Sequence, residues 1–208
     1  VMGGARSGTS LATQTLYHLG IHMGDKVTSG SIEDLAFAEQ VKSNSAELNS
    51  IVERRNTDHK TWGFKLTSSF ASVSSIASKL EKPLILTPMR DLVAVLNRRK
   101  MAKDRSIEDL FGQYVKQQVE LFDFLTESDL PQLIYSHRDA VENPRKFVAA
   151  LISVLGVDVS KETVDSCVAN ISGDENRYTE AFYQNHESKF ETEDDVRNAG
   201  IIEINEDI

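Results

Sequence analysis

The chain has 208 residues, 40% of them hydrophobic, which suffices for one sizeable core, so we read 1–208 as a single domain. A formal net charge of -9 and a pI near 5.1 speak against non-specific nucleic-acid binding, and any anion the chain binds must meet a local cluster of positive charge. Its single cysteine, Cys167, excludes an internal disulfide and offers no metal-ligand spacing, and no apolar run reaches the roughly 18 residues of a transmembrane helix.

The chain opens VMGGARSGTSLATQTLYHLG, a glycine loop followed by Leu11, Thr15, Leu16 and Leu19 at helical spacing, with Gly20 as the stop. Residues 32–55 carry Ile32, Leu35, Phe37, Val41, Leu48 and Val52 on one helical rhythm, and 70–80 reads as a further helix ending before Pro83. Leu84-Ile85-Leu86 is a short apolar run suited to a buried parallel strand, and RDLVAVLNRRKMA starts a helix beyond it. Residues 107–125 form the clearest amphipathic pattern, with a stripe of Ile107, Leu110, Phe111, Tyr114, Leu121, Phe122 and Leu125 interrupted at Gln118. A second buried strand is expected at Leu133-Ile134-Tyr135, then a helix from Pro144 to Leu155 before Gly156. Cys167 in VDSCVAN reads as helix packing, and the acidic stretch from about 190 to 208 as a surface tail. Strands alternating with helices predict an α/β domain with a mainly parallel sheet flanked by helices.

The opening loop is nearly G-x-x-x-x-G-K-[ST], with Gly3 and Gly8 in place, but Thr9 stands where that pattern has its lysine and Arg6 lies inside the loop. A loop that feeds a helix N-terminus points backbone N–H groups at one spot, where the helix dipole favours an anion. Arg6 can grip phosphate oxygens in a fork, and Ser7, Thr9 and Ser10 can add hydroxyl donors. Phosphoryl-transferring enzymes of this type need the lysine and a magnesium held near an acidic strand end. Here the run from Leu84 leads to Arg90, with Asp91 only after it, so the loop suits a phosphate bound without a metal.

GGARSGTSLATQTLYHLG resembles the phosphosulfate-binding loop of P-loop sulfotransferases, whose pattern is G-x-x-R/K-S-G-T-[ST]-L/W. Further segments resemble the same family in the same order: SIEDLAF its acidic motif, WGFKLT its W-G-x-K-D-P, LILTPMRDLVAVLNRR its strand and helix for the 3'-phosphate, and IYSHRDAVENPRKFVAALISVLGV its S-Y-E-x-A-L-x-N-P with the helix after it. Together they span about 1–157. The resemblance implies a P-loop three-layer fold and 3'-phosphoadenosine 5'-phosphosulfate, PAPS, as sulfuryl donor, with no metal. It also implies a nucleotide held by Gly4, Ala5, Arg6, Ser7, Gly8, Thr9 and Ser10 at one end and by Arg90 and Arg98 at the other, with Arg177 closing from the C-terminal side. The sequence departs from the pattern in several places. Arg98, after Asn97, stands at the family's serine, Leu92 at a proline, Leu66-Thr67 at an aspartate-proline pair, and His137-Arg138 at a tyrosine-glutamate pair. Either Asn97 or Arg98 can replace the missing serine, and the cluster Arg98-Arg99-Lys100 can equally be an exposed helix face.

Sulfuryl transfer to a hydroxyl needs a base within hydrogen-bond reach of the acceptor proton. Glu33 is the first candidate, from the acidic motif, and Asp34 the second; the competing reading makes both first-turn acids of a helix. Lys65, from the W-G-x-K resemblance, would reach the transferring group together with Arg6, or else lie on the surface. Trp62 would stack on a ring or be buried beside Gly63. His22 is near enough to the first helix to approach the site, or else is an exposed loop histidine, whereas His18, His59 and His186 have no partner in sequence.

The expected activity is sulfuryl transfer to a hydroxyl of a carbohydrate or small-molecule acceptor. Two alternatives stand beside it: a P-loop kinase or NTPase, and a sulfotransferase-like binding protein without turnover. Acceptor and oligomeric state are left open. No nucleic-acid partner and no integral membrane segment are expected. The chain begins at Val1 directly on the loop, so residues upstream are expected, and the cytoplasmic setting we expect leaves a signal or anchor there open.

Overall fold

The structure, a computed structural model, describes residues 1–28, 30–102 and 105–172. The described residues are mixed helix and strand, 59% of them helical, with a small parallel sheet. Arg177 and the acidic stretch from about 190 lie outside the described residues.

The glycine loop runs into α1 (Thr9–His18), and Leu19 and Gly20 close it, Gly20 at φ 83. The rhythm read as continuous over 32–55 is split in two, α2 (Leu35–Ser43) and α3 (Leu48–Asp58). Asn44 stands between them at φ 49, a left-handed conformation that asparagine tolerates better than most residues and that ends a helix. The helix expected over 70–80 is a 3-10 turn, Phe70–Val73, and one α turn, α4 (Ser74–Ala77). Serine hydroxyls there compete for backbone acceptors: Ser75 donates to the Ser72 carbonyl at 2.7 Å.

β1 (Ile85–Met89) is followed by α5 (Leu92–Ala102), α6 (Ile107–Glu127) and β2 (Gln132–Ser136). The two strands pair in parallel, from Ile85 opposite Gln132 to Met89 opposite Ser136. The chain start continues this ladder: the Met2 amide donates to the Leu86 carbonyl, while the Leu66 amide donates to the Val1 carbonyl, both at 2.9 Å. The main chain before the glycine loop is thus clamped between β1 and the segment at Leu66.

Alternate side chains of β1 point to opposite faces, and each face carries its own core. Ile85 packs with Phe37, Val52, Phe70 and Leu121; Leu86 packs with Leu11, Leu16, Val148 and Leu151. β2 is not the fully buried strand expected. Leu133 and Tyr135 join the second cluster, but Ile134, between them on the strand, points to the other face and is 50% exposed.

α7 (His137–Glu142), α8 (Pro144–Leu155) and α9 (Lys161–Ser172) complete the described chain. α8 has the predicted bounds. α7, which the sequence reading did not place, starts because the Ser136 hydroxyl accepts from the Asp139 amide, and it stops at Asn143 because a residue before proline avoids the helical region. Cys167 is buried in α9, as expected of a packing residue.

α6 corrects the predicted stripe. Leu110, Leu121 and Leu125 are buried as predicted, but Phe111 and Phe122 are 44% and 42% exposed, and Phe124 is buried in their place. Phe111 and Phe122 each lie one residue past a buried leucine, roughly 100° around the helix, so they turn out of the core.

Candidate anion-binding cavity at the N-terminus of α1

A cavity of about 380 Å³ opens where α1 begins. Its floor is the glycine loop: Ala5, Arg6, Gly8, Thr9 and Ser10 all line it. Within the loop the Ser7 amide donates to the Gly4 carbonyl at 3.1 Å, and Arg6 and Gly8 take left-handed conformations, φ 69 and φ 102. For arginine that conformation costs about 1–2 kcal/mol, so the surrounding structure must hold the turn in place. At Gly8 no other residue fits, since a Cβ there would lie 2.1 Å from His137 Cδ2. Gly8 is also the N-cap of α1 and brings no side chain to cap the first turn, and Thr9 and Ser10, whose amides have no partner inside the helix, both line the cavity.

Two of the expected loop ligands do not reach the space. Ser7 is buried, and its hydroxyl packs close to Gly3 and away from the cavity lining. Gly4 is buried beneath Arg99 and Gln118, where a Cβ would meet both at 3.3–3.4 Å. Both shape the turn. Arg6 lines the cavity with an exposed side chain.

On one wall lies a charged chain. Lys65 is 5% exposed; its Nζ is 3.2 Å from the Glu33 carboxylate and donates to Ser10 Oγ at 3.3 Å. The reading of Lys65 as a surface lysine is therefore corrected: Leu66 is fixed in the main-chain ladder, and that anchor draws the preceding residue inward. Glu33 precedes α2 rather than lying in its first turn. Asp34 is the cap of α2, its Oδ1 accepting from the Phe37 amide at 3.1 Å, while its Oδ2 meets the Arg55 guanidinium at 2.5 Å in the core. Asp34 thus faces away from the cavity.

The opposite wall is cationic. Arg90, which follows β1, and Arg98 of α5 both line the cavity, as expected, whereas Asn97 does not. Arg99 of the same cluster is not on an exposed face: it is 6% exposed, and its Nε and Nη2 donate to the Ala5 carbonyl at 3.1 and 3.0 Å. The same guanidinium donates to Gln117 Oε1 from α6. It ties the loop to two helices. Lys100 turns outward and donates to the Arg105 carbonyl.

His137 completes this wall. The first residue of α7, it lies against Gly8 and lines the cavity, and its pKa is held down to about 4, first by burial and then by the guanidiniums of Arg90 and Arg98. It is neutral at physiological pH. Sequence reasoning gave His137, Gln117, Ser31 and Thr67 no role here, and it left Arg99 open within its cluster. For His137 a signal existed, because it directly follows the C-terminal end of a parallel strand, where ligands of α/β sheets bind.

Of two open readings, His22 loses the one that brings it to the site, and Trp62 takes the one that packs it into the core. His22 does not approach the cavity; its ring stacks on His59 with centroids 3.7 Å apart, and Nε2 lies 3.4 Å from Asp25. Burial, the neighbouring His59 and Arg55 lower its pKa. Trp62 is not free to stack on a ligand ring, since its Nε1 donates to Asn56 at 2.9 Å and its ring packs edge-on against Phe37.

The arrangement can hold an extended anion between the helix N-terminus and two guanidiniums, with a carboxylate and an ammonium beside it. No protein-family model matches this chain, and no curated protein matches it significantly. Among the described residues no helix is long and apolar enough to cross a membrane, and no group of three or more His, Cys, Asp or Glu side chains is placed to hold a metal ion.

Proposed function

We propose that this chain is a PAPS-dependent sulfotransferase with a P-loop three-layer α/β fold, acting on a hydroxyl of a carbohydrate or small molecule. The observation that carries the reading is that residues far apart in sequence, Arg6, Glu33, Lys65, Arg90 and Arg98, line one cavity at the start of α1. A donor with a phosphosulfate at one end and a ribose phosphate at the other requires two cationic stations, and the glycine loop with Arg6 and the pair Arg90–Arg98 supply them.

In this reading the acceptor oxygen forms its bond to sulfur as the bond from sulfur to the phosphate oxygen breaks. Glu33 takes the acceptor proton, and Lys65 and the α1 amides face the negative charge left on the departing phosphate. The donor brings the activated sulfuryl group; the protein brings placement and fixed charge. Carbohydrate or small-molecule hydroxyls fit the role of acceptor because a single carboxylate base suffices for them.

The kinase or NTPase reading has less support. Thr9 stands in the position of the lysine, and among the described residues lining the cavity Glu33 is the one carboxylate, already paired with Lys65. Asp91, the nearest acid after β1, is instead exposed and accepts from the Ala94 amide at the start of α5. The test is a sulfation assay with PAPS and a panel of hydroxyl acceptors. Sulfated product supports the enzyme; nucleotide binding with no product across the panel leaves a binding protein; magnesium-dependent ATP binding with no affinity for the desulfated nucleotide overturns the proposal.

A further inference from the structure

His137 is a titratable side chain in the cavity wall for which the proposed chemistry has no use. Its position is unusual. The ring edge carrying Cδ2 lies on Gly8, at the cap of α1, so it sits beside the start of that helix. The charged groups facing it are Arg90 from the turn after β1 and Arg98 from α5. Arg6, from the loop, lines the same space. On its own helix, Arg138 is turned outward into an ion pair with Glu142 at 2.6 Å, and Asp139 is exposed. Charge in the immediate surroundings is therefore positive from three elements, with the positive end of α1 adding to it.

An imidazolium is disfavoured there while no anion sits between the guanidiniums, since the carboxylate of the lining, Glu33, is paired with Lys65, and an arriving anion reverses the balance. We propose that His137 couples anion binding to proton uptake: when a phosphate- or sulfate-bearing dianion enters between Arg90, Arg98 and the glycine loop, His137 takes a proton and becomes a further cation of the site. This rests on the reading of the cavity as an anion site. Because linkage is reciprocal, the factor by which the anion favours the imidazolium is the factor by which protonation tightens the anion. The depressed pKa of His137, about 4, agrees with an imidazole that stays neutral until the anion arrives.

The experiment is titration calorimetry on the full chain near pH 6, in two buffers of different ionisation enthalpy, with two probes. One probe is inorganic sulfate, which does not titrate in this range, and the other is the desulfated nucleotide, 3'-phosphoadenosine 5'-phosphate. The expected result is uptake approaching one proton for each sulfate bound, and an affinity that rises by up to about tenfold per pH unit on acidification. In H137N and H137Q the uptake is lost and the affinity no longer rises on acidification. The wild-type chain gives the same answer without a variant: the imidazole C–H resonance of His137 should titrate at higher pH once sulfate is added. Binding without proton uptake, or uptake unchanged in both variants, overturns the coupling and leaves the nucleotide reading intact. Sulfate bound with uptake but no affinity for the nucleotide keeps the coupling and removes PAPS as donor. Failure of both probes to bind overturns both.

Discussion

Glu33 and Asp34 are neighbours in the chain, yet their carboxylates are held by cations on opposite sides: Lys65 at 3.2 Å in the cavity wall and Arg55 at 2.5 Å in the core. Arg55 is 2% exposed and lies over the Phe37 ring at 4.2 Å, so the inner pair is fixed by packing as well as by charge. Asp34 also caps α2, and so the helix start, the buried pair and the direction of Glu33 are set together.

Breaking that inner pair should therefore cost stability first. Asp34→Asn leaves the buried Arg55 guanidinium with only the half-exposed Asp25 carboxylate, 3.4 Å away, as counter-charge, and the expected loss is at most about 3–5 kcal/mol, read as a lower urea midpoint. Arg55→Met keeps the apolar packing but strands the Asp34 carboxylate, and should destabilise comparably.

The outer pair should behave differently. Glu33→Gln retains the shape of the wall, so affinity for the desulfated nucleotide stays close to that of the wild type while sulfated product falls by about 10²–10⁴. Lys65→Met removes a cation beside the loop and should lower both affinity and turnover. A Glu33→Gln variant that makes product at the wild-type rate removes Glu33 as the base.

Much of the fold was legible because the decisive signals are local. Pro144 and Gly156 bracket α8, and the apolar run at Leu84 announces β1. What was not legible depends on tertiary context. The break at Asn44 hides inside a continuous helical rhythm, and the outward turn of Phe111 and Phe122 depends on which side of α6 meets the sheet. The cavity was partly legible: Arg6, Glu33, Lys65, Arg90 and Arg98 all reach it. Arg99 was not, because adjacent arginines on a helix look alike until one of them finds a backbone carbonyl to hold. His22 and Trp62 stayed open between a site role and a structural one for the same reason, since their partners, His59 and Asn56, are fixed only by the fold.

Gly8 joins the loop to His137 so closely that any side chain there collides with the imidazole. Gly8→Ala should cost at least about 1–2 kcal/mol from the left-handed backbone alone, seen as a lower melting temperature. The displaced imidazole should also weaken anion binding.

His137 gives stability a pH dependence of known sign. Its pKa is 6.5 as an ordinary histidine and about 4 in the fold, so on acidification the unfolded chain takes up the proton first. Its contribution is fully present above pH 6.5 and is lost as the pH falls towards 4, with a slope of at most about 1.4 kcal/mol per pH unit. His22, also shifted down, adds with the same sign. Urea unfolding across this range should show the slope, and His137→Asn should flatten it.

Calorimetric titration of the full chain with 3'-phosphoadenosine 5'-phosphate in the presence of a metal chelator tests the central claim most directly. The account predicts saturable binding at one site per chain, indifferent to the chelator, and abolished by Arg6→Ala and by the double change Arg90→Ala with Arg98→Ala. Absence of heat up to high ligand concentration, or binding that survives all of these substitutions, would contradict it.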